Sequence, residues 1–277
     1  MIKKFRKDEA RIAAVIASVV VGLIYVVLWN LMGETSLVIV LPLALLVILL
    51  FVSEAAHQLD RVKRNREYFD LKQMQSFHEL YHLLDIRHPI PHFAKWAIYP
   101  DFAGQIVSAA IKTKPKHVFE LGSGISTVIN CYCLEKLGGT RVTSLDNDAV
   151  FAEVSRKRVQ EDHGFKDMAT VHHAPLVDVE INGNTYKWYD MSVLDNIEPI
   201  DMLIVDGPPA ALNKHARYPA IPKLYEYLSP NAIILVDDAN REDEKEMVEM
   251  WCKEFPALKA EFIDTQTGAY ILRKEEA

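Results

Sequence analysis

From Ile12 to Met32 the chain runs through 21 residues with almost no polar side chain. As a helix such a stretch reaches about 31 Å, one bilayer core. Gly33, Glu34, Thr35 and Ser36 interrupt it, and a second apolar run extends from Leu37 to Val52. That run reaches spanning length once Ser36 and the flank from Ser53 to Ala56 are counted. The pattern predicts a two-helix transmembrane hairpin over residues 1–53. With so short a connection, and no small-residue cleavage site ahead of the second run, the hairpin reads as a retained anchor and not a removable signal peptide. Lys3, Lys4, Arg6, Lys7 and Arg11 precede the first span, and Arg61, Lys63, Arg64 and Arg66 follow the second. The loop between has no cation, so the positive-inside rule predicts a multi-pass protein of the cell (inner) membrane, with both termini and the C-terminal body cytoplasmic. Ala14, Ser18 and Gly22 recur at four-residue spacing, a surface suited to close helix packing within the hairpin.

Lysine and arginine total 31 against 38 acidic residues, a formal charge of -7. Over the first 53 residues five cations face Asp8, Glu9 and Glu34, a local +2, so everything beyond carries -9. A body this acidic repels a phosphate backbone, and no nucleic-acid partner is expected. Cys131, Cys133 and Cys252 are too few and too odd in number for a disulfide framework, and suit a reducing compartment.

Residues 54–92 are helix-forming and charged, with Leu59, Val62, Phe69, Leu80 and Leu84 as the apolar set, and read as a juxtamembrane helix or helix pair. Pro89 and Pro91 end that linker. Residues 93–277 form the body. Short β-branched runs at 116–121, 141–145, 168–173, 201–205 and 232–236 alternate with helical patterns at 125–137, 148–162, 218–228 and 241–254. That alternation is the signature of an α/β fold with parallel strands and crossover helices. Phe262 to Asp264 and Tyr270 to Leu272 predict a closing antiparallel hairpin. Asn182, Gly183 and Asn184 between Ile181 and Tyr186 predict a second, inserted one.

The first strand runs into Glu120, Leu121, Gly122, Ser123, Gly124, Ile125, Ser126 and Thr127, a glycine-rich turn opening a helix. A dinucleotide fingerprint needs a third small residue where Thr127 stands, which disfavours a pyrophosphate ligand and a nicotinamide-dependent dehydrogenase. Asp146 ends the second strand where a carboxylate can accept both ribose hydroxyls. Glu120, beside the glycines with no phosphate to repel it, suits the ammonium of an amino-acid moiety. Amino acid and ribose in one ligand mean S-adenosyl-L-methionine.

With these residues, Asp206-Gly207-Pro208-Pro209, Arg217 to Pro222 and Asp237 to Arg241 in order, the chain resembles class I S-adenosylmethionine-dependent methyltransferases. Its ELGSG-x-ST, DGPP, RYPA-x-P and DDA-x-R segments are similar to those of one branch. The upstream Pro91 to Asp101 segment, with Trp96 and Pro100, is similar to that branch's helical lead-in. The resemblance covers about 91–273 and leaves the hairpin outside. It implies a Rossmann-like sheet, with Glu120, Gly122, Ser123 and Gly124 along the methionine part of the cofactor, Asp146 on the ribose, and Ala174, Pro175 and Leu176 near the adenine.

Methyl transfer to a hydroxyl needs a base or a metal. Asp206, at the carboxyl end of the fourth parallel strand, is the first candidate for the base, and with Asp237 and Asp238 it could hold Mg2+, as in catechol-type and macrocin-type O-methyltransferases. Catechol-type enzymes carry Asp-Asn where this chain has Asp-Asp. His215 and Arg217 are lid or substrate candidates, His215 as a second catalytic group. The whole predicts a membrane-anchored methyltransferase acting on an O or N acceptor associated with the lipid bilayer. The alternative is an inactive methyltransferase-like scaffold that binds the cofactor and recruits a partner. His78-Glu79-Leu80-Tyr81-His82 matches the zincin H-E-x-x-H pattern, but nothing downstream describes a protease, and the pair reads as solvent-facing on a helix.

Overall fold

A computed structural model describes residues 16, 19–93, 97–194 and 196–275. The chain divides into two compact units, Met1–Asp70 and Leu71–Ala277. Ala14, Ser18 and Trp96, named above, lie outside the described residues.

The first unit holds an apolar helix α1 (Val19–Thr35) and most of α2 (Leu37–Leu83). Among the described residues only α2 is both long and apolar enough, by length and composition, to cross a membrane; the first predicted span is described from residue 19 onward, as α1, and residues 12–15, 17 and 18 of it lie outside the described residues. No glycine or proline follows Pro42 before Leu83, so nothing ends the helix, and the second apolar run continues unbroken into the charged linker. Apolar side chains stand out from both helices, Leu31 and Val38 at 75% exposure.

In the second unit, Leu80 and Leu84 enter the core beside Phe102 and Ile106 of α3 (Pro100–Thr113). Pro100 takes the first position of α3, where its missing N–H is harmless. The sheet then builds from β1 (His117–Leu121), β2 (Arg141–Asp146), β3 (Ala169–His173), β6 (Ile200–Val205), β7 (Leu228–Asp237), β8 (Leu258–Ile263) and β9 (Ala269–Lys274). Its order is β3-β2-β1-β6-β7-β9-β8, parallel through β7 and antiparallel at β9 and β8. The helices are α4 (Ile125–Leu137), α5 (Ala149–Lys157), α6 (Ala220–Leu224) and α7 (Glu242–Glu254).

Strands buried on both faces alternate their side chains between two cores. Val118, Val142 and Ile204 face α3 and α4, while Phe119, Leu121 and Val205 face the side of α6 and α7. On that second side lies an inserted hairpin, β4 (Leu176–Ile181) and β5 (Asn184–Tyr189). Asn182 and Gly183 both take positive φ, the type I′ geometry that a two-residue hairpin requires. The strand order reverses between β1 and β6, the place where open α/β sheets bind ligands.

Candidate active site

At the reversal, Gly122 leaves β1 at φ +99°, and a Cβ there would stand 3.0 Å from the Asp206 carbonyl oxygen. Both the backbone region and the close approach demand glycine. Gly124 opens α4 with nothing within 4 Å of a would-be Cβ, so the turn presents bare main chain.

Thr127 accepts the Gly124 amide at 3.0 Å and donates to Glu120 Oε2 at 2.5 Å. The residue that breaks the dinucleotide pattern therefore anchors the carboxylate. Ser144, the register partner of Glu120 on β2, donates to the same oxygen at 2.9 Å. Glu120 Oε1 is buried and has no partner of hydrogen-bond geometry. Burial pushes this carboxyl up to about 7, against the pull of the Ser126, Thr127 and Ser144 hydroxyls. A buried acceptor left unpaired costs about 1–3 kcal/mol. A ligand ammonium on Oε1 would remove that cost, so the residue fits the amino-acid end of the cofactor.

Asp146 is engaged on both oxygens: Oδ2 accepts the Ser123 amide at 3.2 Å and hydroxyl at 2.6 Å, and Oδ1 accepts the Asp148 amide at 3.0 Å. A ribose diol fits this carboxylate once the Ser123 hydroxyl swings aside. Ala174 is tied to the same corner, its amide donating to the Asp146 carbonyl at 2.8 Å, while the Pro175 carbonyl accepts the Asp190 amide and Leu176 begins β4. The residues expected around ribose and adenine thus share one edge.

Tyr189 was not foreseen. The inserted hairpin carries its hydroxyl to Gly207, where a Cβ would come within 2.2 Å of that oxygen. The hydroxyl is buried without a partner, and burial, with Asp146, Asp206 and Glu120 nearby, holds it protonated by pushing its pKa well up. It is a donor waiting for an acceptor. Tyr189 also lines a cavity of about 360 Å3 with Val177, Trp188, Met191 and Tyr227. The sequence cue is an aromatic pair, Trp188-Tyr189, at the end of the strand that follows the hairpin turn.

The trio Asp206, Asp237 and Asp238 does not fit a metal ion. Arg217 lies between them, its Nη2 3.2 Å from Asp206 Oδ1 and 2.9 Å from Asp238 Oδ2. Asp237 Oδ1 accepts the Thr267 hydroxyl at 2.6 Å and the Asp238 amide at 2.7 Å. Arg217 is therefore no exposed lid residue but a buried counter-ion. Burial pushes Asp206 well above the usual carboxylate range despite Arg217, and lifts Asp237 to about 6 despite the Thr267 hydroxyl. His215 Nε2 sits 2.8 Å from Glu246 Oε2 on α7, so the ring is held by that helix. His215, Asp243 and Glu246 bring three ligand atoms within 4.8 Å of one another, with Glu246 already paired to the Lys214 ammonium at 2.7 Å and to His215 Nε2. His78, Glu79 and His82 are exposed on α2, with Glu79 accepting from Gln75 at 2.8 Å.

Residues 119–239 match the family described as a methyltransferase domain. Similar solved structures include a putative O-methyltransferase from Klebsiella pneumoniae, 17% identical over 71% of this chain and 90% of that one at a TM-score of 0.50. An O-methyltransferase from Bacillus cereus in complex with SAH is 13% identical over 73% and 90%, TM-score 0.50. An SAH-bound methyltransferase from Podospora anserina is 15% identical over 78% and 96%, TM-score 0.53. No curated protein matches the chain by sequence. The second unit carries the Rossmann-like fold of class I methyltransferases.

Proposed function

We propose that this chain is a membrane-anchored S-adenosylmethionine-dependent methyltransferase that transfers a methyl group to an O or N acceptor held at the membrane. The observation that carries the reading is the pairing of Glu120, with one buried oxygen unpaired, and Asp146 on either side of the bare Gly122–Gly124 turn. When bound, the cofactor supplies a methyl group already activated on a sulfonium, so the chain's own task is alignment. Glu120 binds the ammonium, Asp146 the ribose diol, and the Tyr189 O–H a further acceptor atom at the same end of the crevice. Asp206 is the group placed to receive the acceptor's proton; burial raises its affinity for protons and Arg217 opposes that rise.

The exposed apolar side chains of α1 and the first part of α2 support an anchor in lipid. Both termini and the catalytic unit then lie on the cytoplasmic face of the inner membrane, where tethering concentrates the enzyme against its acceptor. A lipid, a lipid-linked glycan, a quinone-like molecule or a membrane protein meets that description. Calorimetry tests the cofactor assignment: micromolar binding of S-adenosylhomocysteine, no binding of NAD, and loss on Asp146→Ala support it. Binding of NAD with none of S-adenosylhomocysteine refutes it.

A further inference from the structure

Asp206 directly follows β6 and Asp238 directly follows β7, and the Arg217 guanidinium bridges them from a position 5% exposed. Its other hydrogen bonds go to the carbonyls of Pro208 at 3.3 Å, Asp237 at 3.2 Å and Asp206 at 3.3 Å. Arg241 adds a second cation 2.8 Å from Asp238. Burial alone would lower the Arg217 pKa, yet Asp206 and Asp238 hold it above its ordinary value. A divalent ion draws its ligand oxygens to about 2.0–2.6 Å and needs their net negative charge. A guanidinium spanning two of the three carboxylates, with the third bound to Thr267 and the Asp238 amide, leaves neither the room nor the charge.

We propose that Arg217 is the resident cation at the acceptor end of the crevice, standing between Asp206 and Asp238 where a divalent ion would otherwise sit, so that this chain transfers its methyl group without a metal. The proposal rests on the methyltransferase reading above. A guanidinium keeps its charge at every working pH, and its planar fork meets two carboxylates at once, tasks a flexible ammonium performs poorly. With its donors turned to the protein, Arg217 positions Asp206 and leaves the acceptor to it. The acceptor's O–H or N–H proton passes to the Asp206 carboxylate as the acceptor atom bonds to the methyl carbon and the carbon–sulfur bond breaks, leaving a neutral thioether. Every charge in that step is balanced by groups of the chain and the two substrates.

Mn2+ titration of the full-length chain in detergent, followed by electron paramagnetic resonance of the free ion, tests this, with S-adenosylhomocysteine binding as the control for an intact site. The wild type and Arg217→Lys are expected to take up no stoichiometric Mn2+. Arg217→Ala is expected to take up about one ion per chain, more than about tenfold tighter than wild type, and to lose it again when combined with Asp238→Asn. A wild-type chain that binds one Mn2+ and loses it on Asp238→Asn overturns the proposal. So does an Arg217→Ala chain that still binds S-adenosylhomocysteine yet gains no Mn2+ affinity. Should the alanine variant fail to fold, the wild-type and lysine titrations decide. Failure of the wild type to bind S-adenosylhomocysteine would instead strike the methyltransferase reading itself.

Discussion

The Ser123 hydroxyl lies 2.6 Å from Asp146 Oδ2, on the carboxylate that the ribose diol must reach. A side chain of the turn itself thus occupies that carboxylate oxygen, and the two residues should answer oppositely to mutation. Asp146→Ala removes charge-assisted hydrogen bonds and is expected to weaken S-adenosylhomocysteine binding about 10- to 100-fold. Ser123→Ala removes only a competitor, and its affinity should stay within about twofold of wild type or tighten. Calorimetry on both variants checks the pair.

Glu120 makes cofactor binding depend on pH. Its carboxyl sits at about 7 in the folded chain against an ordinary 4.5. The folded state therefore binds this proton more tightly than the unfolded one, so stability falls as pH rises from 4.5 through about 7. An ammonium ligand needs the ionised form. S-adenosylhomocysteine affinity should rise with pH up to about 7, with proton release on binding over the same range. Glu120→Gln should abolish the release and flatten the stability profile, seen by titration in buffers of different ionisation heat and by melting across pH. Equal proton release from the variant would assign the titration to another group.

Tyr189 and Gly207 form a steric pair. Replacing the unpartnered hydroxyl in Tyr189→Phe should leave the free protein as stable or up to about 1–3 kcal/mol more so, while weakening cofactor or acceptor binding. Gly207→Ala drives a methyl group onto the Tyr189 oxygen and should cost about 1–3 kcal/mol, whereas Gly124→Ala, facing open space, should cost less. Denaturant melts of the three variants give the order, and Gly124→Ala proving the most damaging would reject it.

The parallel strands and the ELGSG turn were legible because their signals are local: apolar runs of strand length, glycines at a strand end, and Asn182-Gly183 between two β-rich segments. The sequence offers Arg217 as a lid or substrate residue because nothing in RYPA-x-P says that its side chain folds back between Asp206 and Asp238, separated from it by 11 and 21 positions. Tyr189 was invisible for the same reason, its role depending on where a hairpin docks. The helix expected over 218–228 shrinks to Ala220–Leu224 and a short turn, and β7 starts early at Leu228, since Pro222 already sits inside so short a helix. The linker after the second apolar run merges into α2 because its charged residues are good helix formers with no breaker among them.

The anchor makes a topological prediction. In intact cells Glu34→Cys, in the turn between the two apolar segments, should react with a membrane-impermeant maleimide, and Arg64→Cys, past the second, should react only after lysis. Native Cys131 and Cys133 are buried and contribute little background, and Cys252 is removed by substitution. Labelling of both positions from outside would contradict a cytoplasmic catalytic unit.

The most direct measurement is a crystal structure of the chain soaked with S-adenosylhomocysteine. The account predicts the ligand's amine on Glu120 Oε1, its ribose hydroxyls on Asp146 with the Ser123 side chain displaced, and Arg217 still bridging Asp206 and Asp238. Density for the ligand elsewhere, or a turn that stays closed over Asp146 at saturating ligand, would contradict it.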